Sequence, residues 1–157
     1  MANKYNLFIR FPNVTIPQGS TITSAIVKFN AGGSDSGTGC NINCYFNNVD
    51  NAVAPTSAIA GVNLAVTGAV AWNNIEDWTH DSTYYSPELK TILQTVINRP
   101  GWVSGNALQI VFKNNGSSTS RLRKPHSWDN GSVIPELSIT YDAPVGSPSR
   151  GLFTFLW

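Results

Sequence analysis

Charge is scarce in this sequence. Lys, Arg, Asp and Glu make up 12% of its 157 residues and leave a formal net charge of +1. Globular domains usually carry about 25% charged residues. With no basic excess there is no field to gather nucleic acid or anionic lipid, and neither partner class is expected. Long apolar runs are missing as well, since nothing approaches the roughly 20 residues that cross a bilayer. Met1-Ala2-Asn3-Lys4 leads straight into alternating Tyr5, Leu7, Ile9 and Phe11, a strand pattern and not the apolar core of a secretion signal. The expectation is a chain made and folded in a cytoplasm. Asn13, Asn115 and Asn130, each two residues ahead of Ser or Thr, then read as turn chemistry and not as glycan acceptors.

Cysteine and histidine are equally sparse, at two each. Cys40 and Cys44 share one strand face with Ile42 and Phe46. Four residues along a strand separate Cα atoms by about 13 Å, whereas a disulfide needs less than about 7 Å. The pair cannot bridge there, and both thiols are expected to be small buried hydrophobes. A zinc site would need two more ligands, and His80 and His126 belong to no ligand motif. No metal or cofactor is expected.

Catalytic signatures are absent too. There is no Gly-x-Ser-x-Gly elbow, no phosphate-cradling glycine loop and no His-Glu-x-x-His. Glycoside hydrolysis would need two carboxylates across a cleft. Glu76, Asp77 and Asp81, with His80, form the densest cluster of titratable residues, and it reads as a solvated loop. No catalytic residue is assigned, and the chain is not expected to be an enzyme.

What is present is turn chemistry between short apolar alternations. Thirteen Gly and nine Pro accompany abundant Asn, Ser and Thr, a composition that suits short strands joined by many turns. A chain this long can bury about 68–70% of its unfolded surface in one domain. Strands are expected at 4–11, 21–30, 40–47, 64–72, 107–113 and 133–141, with a short one at 121–124. Residues 31–39 lack an apolar anchor and read as an exposed, mobile loop, and 73–85 as a second loop.

One helix interrupts the strands. Leu89, Ile92, Leu93, Val96 and Ile97 recur at helical spacing and make a single apolar stripe. Ser86 stands at the expected N-cap, Pro87 at the first helical position and Glu88 at the positive end of the dipole. Arg99-Pro100-Gly101 marks the stop. The helix is therefore expected at about 87–98, lying across the sandwich with Trp102 fixing its exit.

Aromatic residues and the last stretch are the functional leads. Trp72 and Trp102 read as core. Trp78 and Trp128 lie in loops and, with Tyr84 and Tyr85, offer either core packing or flat platforms for sugar rings. Arg121, Arg123 and Lys124 with His126 form a local basic cluster, expected to guard a sheet edge or an interface. Residues 143–149 read as a linker, followed by the apolar arm Leu152, Phe153, Phe155, Leu156 and Trp157. Such an arm either packs on its own sandwich or docks on a neighbour, and the linker's reach favours the neighbour.

Several stretches carry a resemblance. Phe8-Ile9-Arg10-Phe11-Pro12 through Ala25, Val70-Ala71-Trp72-Asn73, Ser86-Pro87-Glu88-Leu89, Asn98-Arg99-Pro100-Gly101-Trp102 and Pro135 through Tyr141 resemble a jelly-roll module. That module occurs in bacteriophage structural proteins and in large bacterial surface or secreted proteins, and is similar to non-catalytic carbohydrate-binding domains. The resemblance spans about residues 5–142 and implies an all-β jelly-roll sandwich without catalysis. The expectation it supports is a virion protein, a capsid decoration or tail-associated component. Such a protein would self-associate symmetrically, a trimer being one closed form, and contact other virion proteins. The alternative is a glycan-binding module. The organisation expected is a jelly roll over 1–142 and a linker with apolar arm over 143–157.

Overall fold

The computed structural model describes residues 6–54, 64–127, 133–146 and, as strand backbone, 151–156. Alternation builds its longest strand, Thr21–Asn30 (β2, with β1 at Leu7–Phe11 before it). Ile22, Ala25, Val27 and Phe29 of β2 point inward. The odd step from Ile22 to Ala25 is accommodated by a register shift between Ile22 and Ser24 against its partner strand, a bulge that resets the period. Further strands are Ile42–Phe46 (β3), Val70–Trp72 (β4), Thr83–Tyr85 (β5), Leu108–Asn114 (β6), Glu136–Asp142 (β7) and Gly151–Leu156 (β8). The helix, Lys90–Ile97 (α1), falls between β5 and β6.

Two four-stranded antiparallel sheets result, in the orders β1-β6-β3-β4 and β5-β2-β7-β8. The first contributes Ile9, Phe11, Cys44, Phe46, Leu108, Ile110 and Phe112 to the core, and the second Val27, Phe29, Leu137 and Ile139. Burying each large side chain of this kind contributes about 1.5–3 kcal/mol. The expected all-β sandwich with a single helix among the described residues is what this chain forms. The helix turns Ile92, Leu93, Val96 and Ile97 into the same core. Trp102 closes its exit as expected, fully buried with Nε1 donating to the Ile16 carbonyl at 2.9 Å.

The helix begins later than the sequence signals, and the reason lies in β2. One edge of β2 pairs with β7, while β5 covers only Lys28–Asn30 on the other. The segment leading into α1 serves the rest of that edge. Ser86 N–H donates to the Val27 carbonyl and its Oγ accepts the Val27 N–H, both at 2.9 Å. Glu88 Oε1 accepts the Ala25 N–H at 2.7 Å, and Leu89 N–H donates to the Ala25 carbonyl. Gln94 finishes the row, accepting from Ile22 N–H and donating to the Ser20 carbonyl. A sheet edge left without partners costs stability and invites aggregation, so Ser86 is drawn off capping duty into edge duty, while Glu88 serves the edge and also accepts the N–H of Lys90 at the helix start at 2.9 Å.

The apolar stretch expected to reach a neighbour instead pairs inside its own chain. Gly151–Leu156 runs antiparallel to β7, from Tyr141↔Gly151 to Glu136↔Leu156. The edge of β7 offered a full row of unpaired backbone groups, and a strand of the same chain reaches it without the entropy cost of association. Trp157 lies outside the described residues, and so does Trp128.

Candidate functional site

One end of the sandwich is built from three loops that the sequence left separate. Residues 31–39 follow β2, residues 73–82 precede β5, and residues 115–127 follow β6. Asp35 and Trp78 exchange backbone hydrogen bonds at 2.9 and 2.7 Å, and Asp77 Oδ1 accepts the Gly37 N–H. The loop at 31–39 is thus laced to its neighbour, contrary to the expectation of an unanchored segment: backbone pairing replaced the missing apolar anchor.

Arg123 locks the three loops together. Its guanidinium donates to the carbonyls of Ile75, Glu76 and Gly37 at 2.6–3.0 Å and lies 3.4 Å from Asp77 Oδ1, with the side chain only 4% exposed. Lys124 contributes its N–H to Asp35 Oδ2, and its ammonium stands 3.4 Å from Asp35 Oδ1. The basic cluster therefore faces inward at Arg123 and is not a surface guard there. A planar fork with five donors suits a crowd of loop carbonyls, which explains why arginine stands at this position.

The loops rim a cavity of about 750 Å³ between the sheets, within the range of small-molecule sites. Its floor is aromatic. Phe29 packs at 6.0 Å from both Trp72 and Trp78 and edge-on to Phe112 at 5.6 Å. Trp78 is buried, 4% exposed, and its other neighbour Tyr84 stacks on it at 4.8 Å and 10°. The Tyr84 hydroxyl accepts the Thr79 N–H at 2.7 Å. Trp78 is therefore no open sugar platform: its loop is pulled against Phe29 by the Asp35 pairing. Of the proposed aromatic set, Tyr85 is exposed at 57% and Tyr84 is half-buried. Trp78 Nε1 is buried with no hydrogen-bond partner among the described residues.

Cys40 lines the same cavity and Cys44 sits in the core; both are free and buried, as expected. Burial pushes the Cys40 thiol up, partly countered by the Arg123 charge, and pushes Cys44 to about 12. Neither is a nucleophile at neutral pH.

Both histidines meet at the rim on one carboxylate. Asp81 Oδ2 lies 3.0 Å from His80 Nδ1, and Asp81 Oδ1 lies 3.1 Å from His126 Nε2. The hydrogen bond to His126 and the charges of the two rings hold the Asp81 carboxyl below its ordinary 3.8, against a smaller opposing desolvation. The sequence hid this cluster, because His126 is 45 residues from Asp81. The clue was that the histidine-carboxylate pair and the lone downstream histidine both follow strands ending at the same side.

Beyond the loop end, β8 is the outermost strand of its sheet and carries the apolar sequence Leu152-Phe153-Thr154-Phe155-Leu156. No protein-family model, no curated protein and no solved structure matches the chain.

Proposed function

We propose that this chain is a non-catalytic building block of a larger assembly, a capsid decoration or tail-associated protein of a bacteriophage virion. The observation that carries this reading is the placement of β8, an apolar strand outermost in a four-stranded sheet. Soluble proteins blunt such edges with charge, proline or a covering loop. β8 carries neither charge nor proline within Gly151–Leu156, no other strand among the described residues pairs with its outer edge, and the other exposed length of β2 is covered by Glu88 and Gln94. An edge unpaired among the described residues on one strand and closed on another fits β-augmentation by a neighbouring copy. The chain also passes between the two sheets at β1–β2, β2–β3, β4–β5, β5–β6 and β6–β7, which supports a jelly-roll ancestry and the resemblance to phage modules. Sedimentation of the full chain beside a variant lacking residues 151–157 tests it. Loss of self-association on deletion is expected, and equal monomeric masses for both would overturn it.

A second reading is a ligand-binding module, a glycan being the ligand class expected of the resemblance. The aromatic-floored cavity and the unpartnered Trp78 Nε1 favour it. A glycan array read by Trp78 fluorescence decides that reading: saturable quenching by a sugar would support it, and a flat response across the array would end it.

A further inference from the structure

We propose that His80, Asp81 and His126 form a binding site for a divalent transition-metal cation of the zinc class. Each residue offers one ligand atom, and these atoms all lie within 4.8 Å of one another. Zinc takes imidazole nitrogen and carboxylate oxygen at about 2.0–2.2 Å, so ligands on one tetrahedron stand roughly 3.3 Å apart. The two nitrogen–oxygen contacts, at 3.0 and 3.1 Å, are close to that spacing and run to the two different oxygens of Asp81. For one Asp81 oxygen to serve both rings the carboxylate must turn, and the edge between the rings must close by at most about 1.5 Å to reach the tetrahedral spacing; the His80 and Asp81 side chains, 55% and 69% exposed, have room to swing.

The frame behind the three side chains is fixed by backbone pairing at the end of β2. Asp81 N–H donates to the Ala31 carbonyl and Ala31 N–H to the Ser82 carbonyl, both at 2.9 Å. On the other side His126 N–H donates to the Asn30 carbonyl and Gly32 N–H to the Lys124 carbonyl. The strands of the frame approach closely: a Cβ at Gly32 would lie 3.2 Å from His126 N and from the Pro125 carbonyl. The turn at 80–82 and the segment at 124–126 are therefore held in place before any cation arrives, which lowers the cost of binding. His80 N–H is tied to Ser34 Oγ as well.

The donor set selects the cation. Two imidazoles and one carboxylate suit Zn²⁺, Ni²⁺ or Cu²⁺, while Ca²⁺ and Mg²⁺ want several oxygens and find one carboxylate here. Three protein ligands leave at least one position to water. The cation would staple two loops across the open end of the sandwich.

Calorimetric titration of tag-free full-length protein with Zn²⁺ at neutral pH tests the proposal, with Ca²⁺ as control. One equivalent of Zn²⁺ is expected to bind, to raise the melting temperature, and to bind at least about tenfold more weakly in His80→Ala and in His126→Gln. Co²⁺ in its place should give a spectrum without thiolate charge-transfer intensity, which keeps Cys40 and Cys44 out of the site. His80→Ala alters an exposed side chain and decides the matter even if His126→Gln fails to fold. Absence of saturable binding of both Zn²⁺ and Ni²⁺, unchanged Zn²⁺ affinity in His80→Ala, or thiolate bands with Co²⁺ would each overturn it.

Discussion

Glu88 and Ala25 are joined by a carboxylate that stands where a neighbouring strand would be: Oε1 takes the Ala25 N–H at 2.7 Å, while Oε2 takes the Ser24 hydroxyl at 2.9 Å. Removing that acceptor leaves a buried backbone donor unpaired, since Ala25 is fully buried. Glu88→Ala is expected to cost about 1–3 kcal/mol, read as a lower urea midpoint at unchanged slope. The pH dependence follows from the same contacts. Burial alone would raise the Glu88 carboxyl, but hydrogen bonds from Ala25, Ser24, Lys90 and Leu89 bring it below its ordinary 4.5. A depressed folded-state pKa stabilises the fold above the unfolded value and ceases to do so as pH falls through the folded one. Wild type should therefore lose stability below about pH 4.5 more steeply than Glu88→Gln. Parallel acid limbs for the two would contradict this.

Arg123 governs the loop end. Replacing it with Met strands the carbonyls of Gly37, Ile75 and Glu76, which it now serves. The expected loss is about 2–3 kcal/mol, with faster amide exchange at Asp35, Gly37 and Trp78 than elsewhere. Arg123→Lys should recover little, because a single ammonium cannot reproduce the fork. Exchange that stays slow at those three amides in Arg123→Met would show that the loops hold without it.

The thiols give an inexpensive check on the core. Cys40 and Cys44 are buried, with thiols pushed up, Cys44 to about 12. Native protein should leave a colorimetric thiol reagent uncoloured at mildly alkaline pH, and both thiols should react once urea unfolds it. Rapid reaction of the native state would place a thiol at the surface.

Local patterns carried well into this fold. The bounds expected for β2 are the ones found, Thr21–Asn30, because its alternation is long and faces one core. The helical stripe buries as its spacing demands, and Trp102 sits where the Arg99-Pro100-Gly101 stop puts it. What the sequence concealed are contacts between distant segments. Ser86 and Glu88 have the chemistry of caps, and the uncovered edge of β2 diverts Ser86 and shares Glu88 with the helix start. Thr83–Tyr85 is three residues long and forms a strand only because β2 offers it an edge. Residues 121–124 form no strand; an isolated bridge, Ala31↔Pro125, is what their segment supplies. Arg123 and the His80–Asp81–His126 cluster likewise join loops far apart in the chain, so neither purpose leaves a local pattern.

Assembly through β8 is the claim on which the functional reading rests, and sedimentation equilibrium of the full chain over micromolar concentrations tests it most directly. The account predicts a mass of at least twice 17.0 kDa that falls toward the monomer when residues 151–157 are removed. A single 17.0 kDa species at every concentration, with or without those residues, would contradict it.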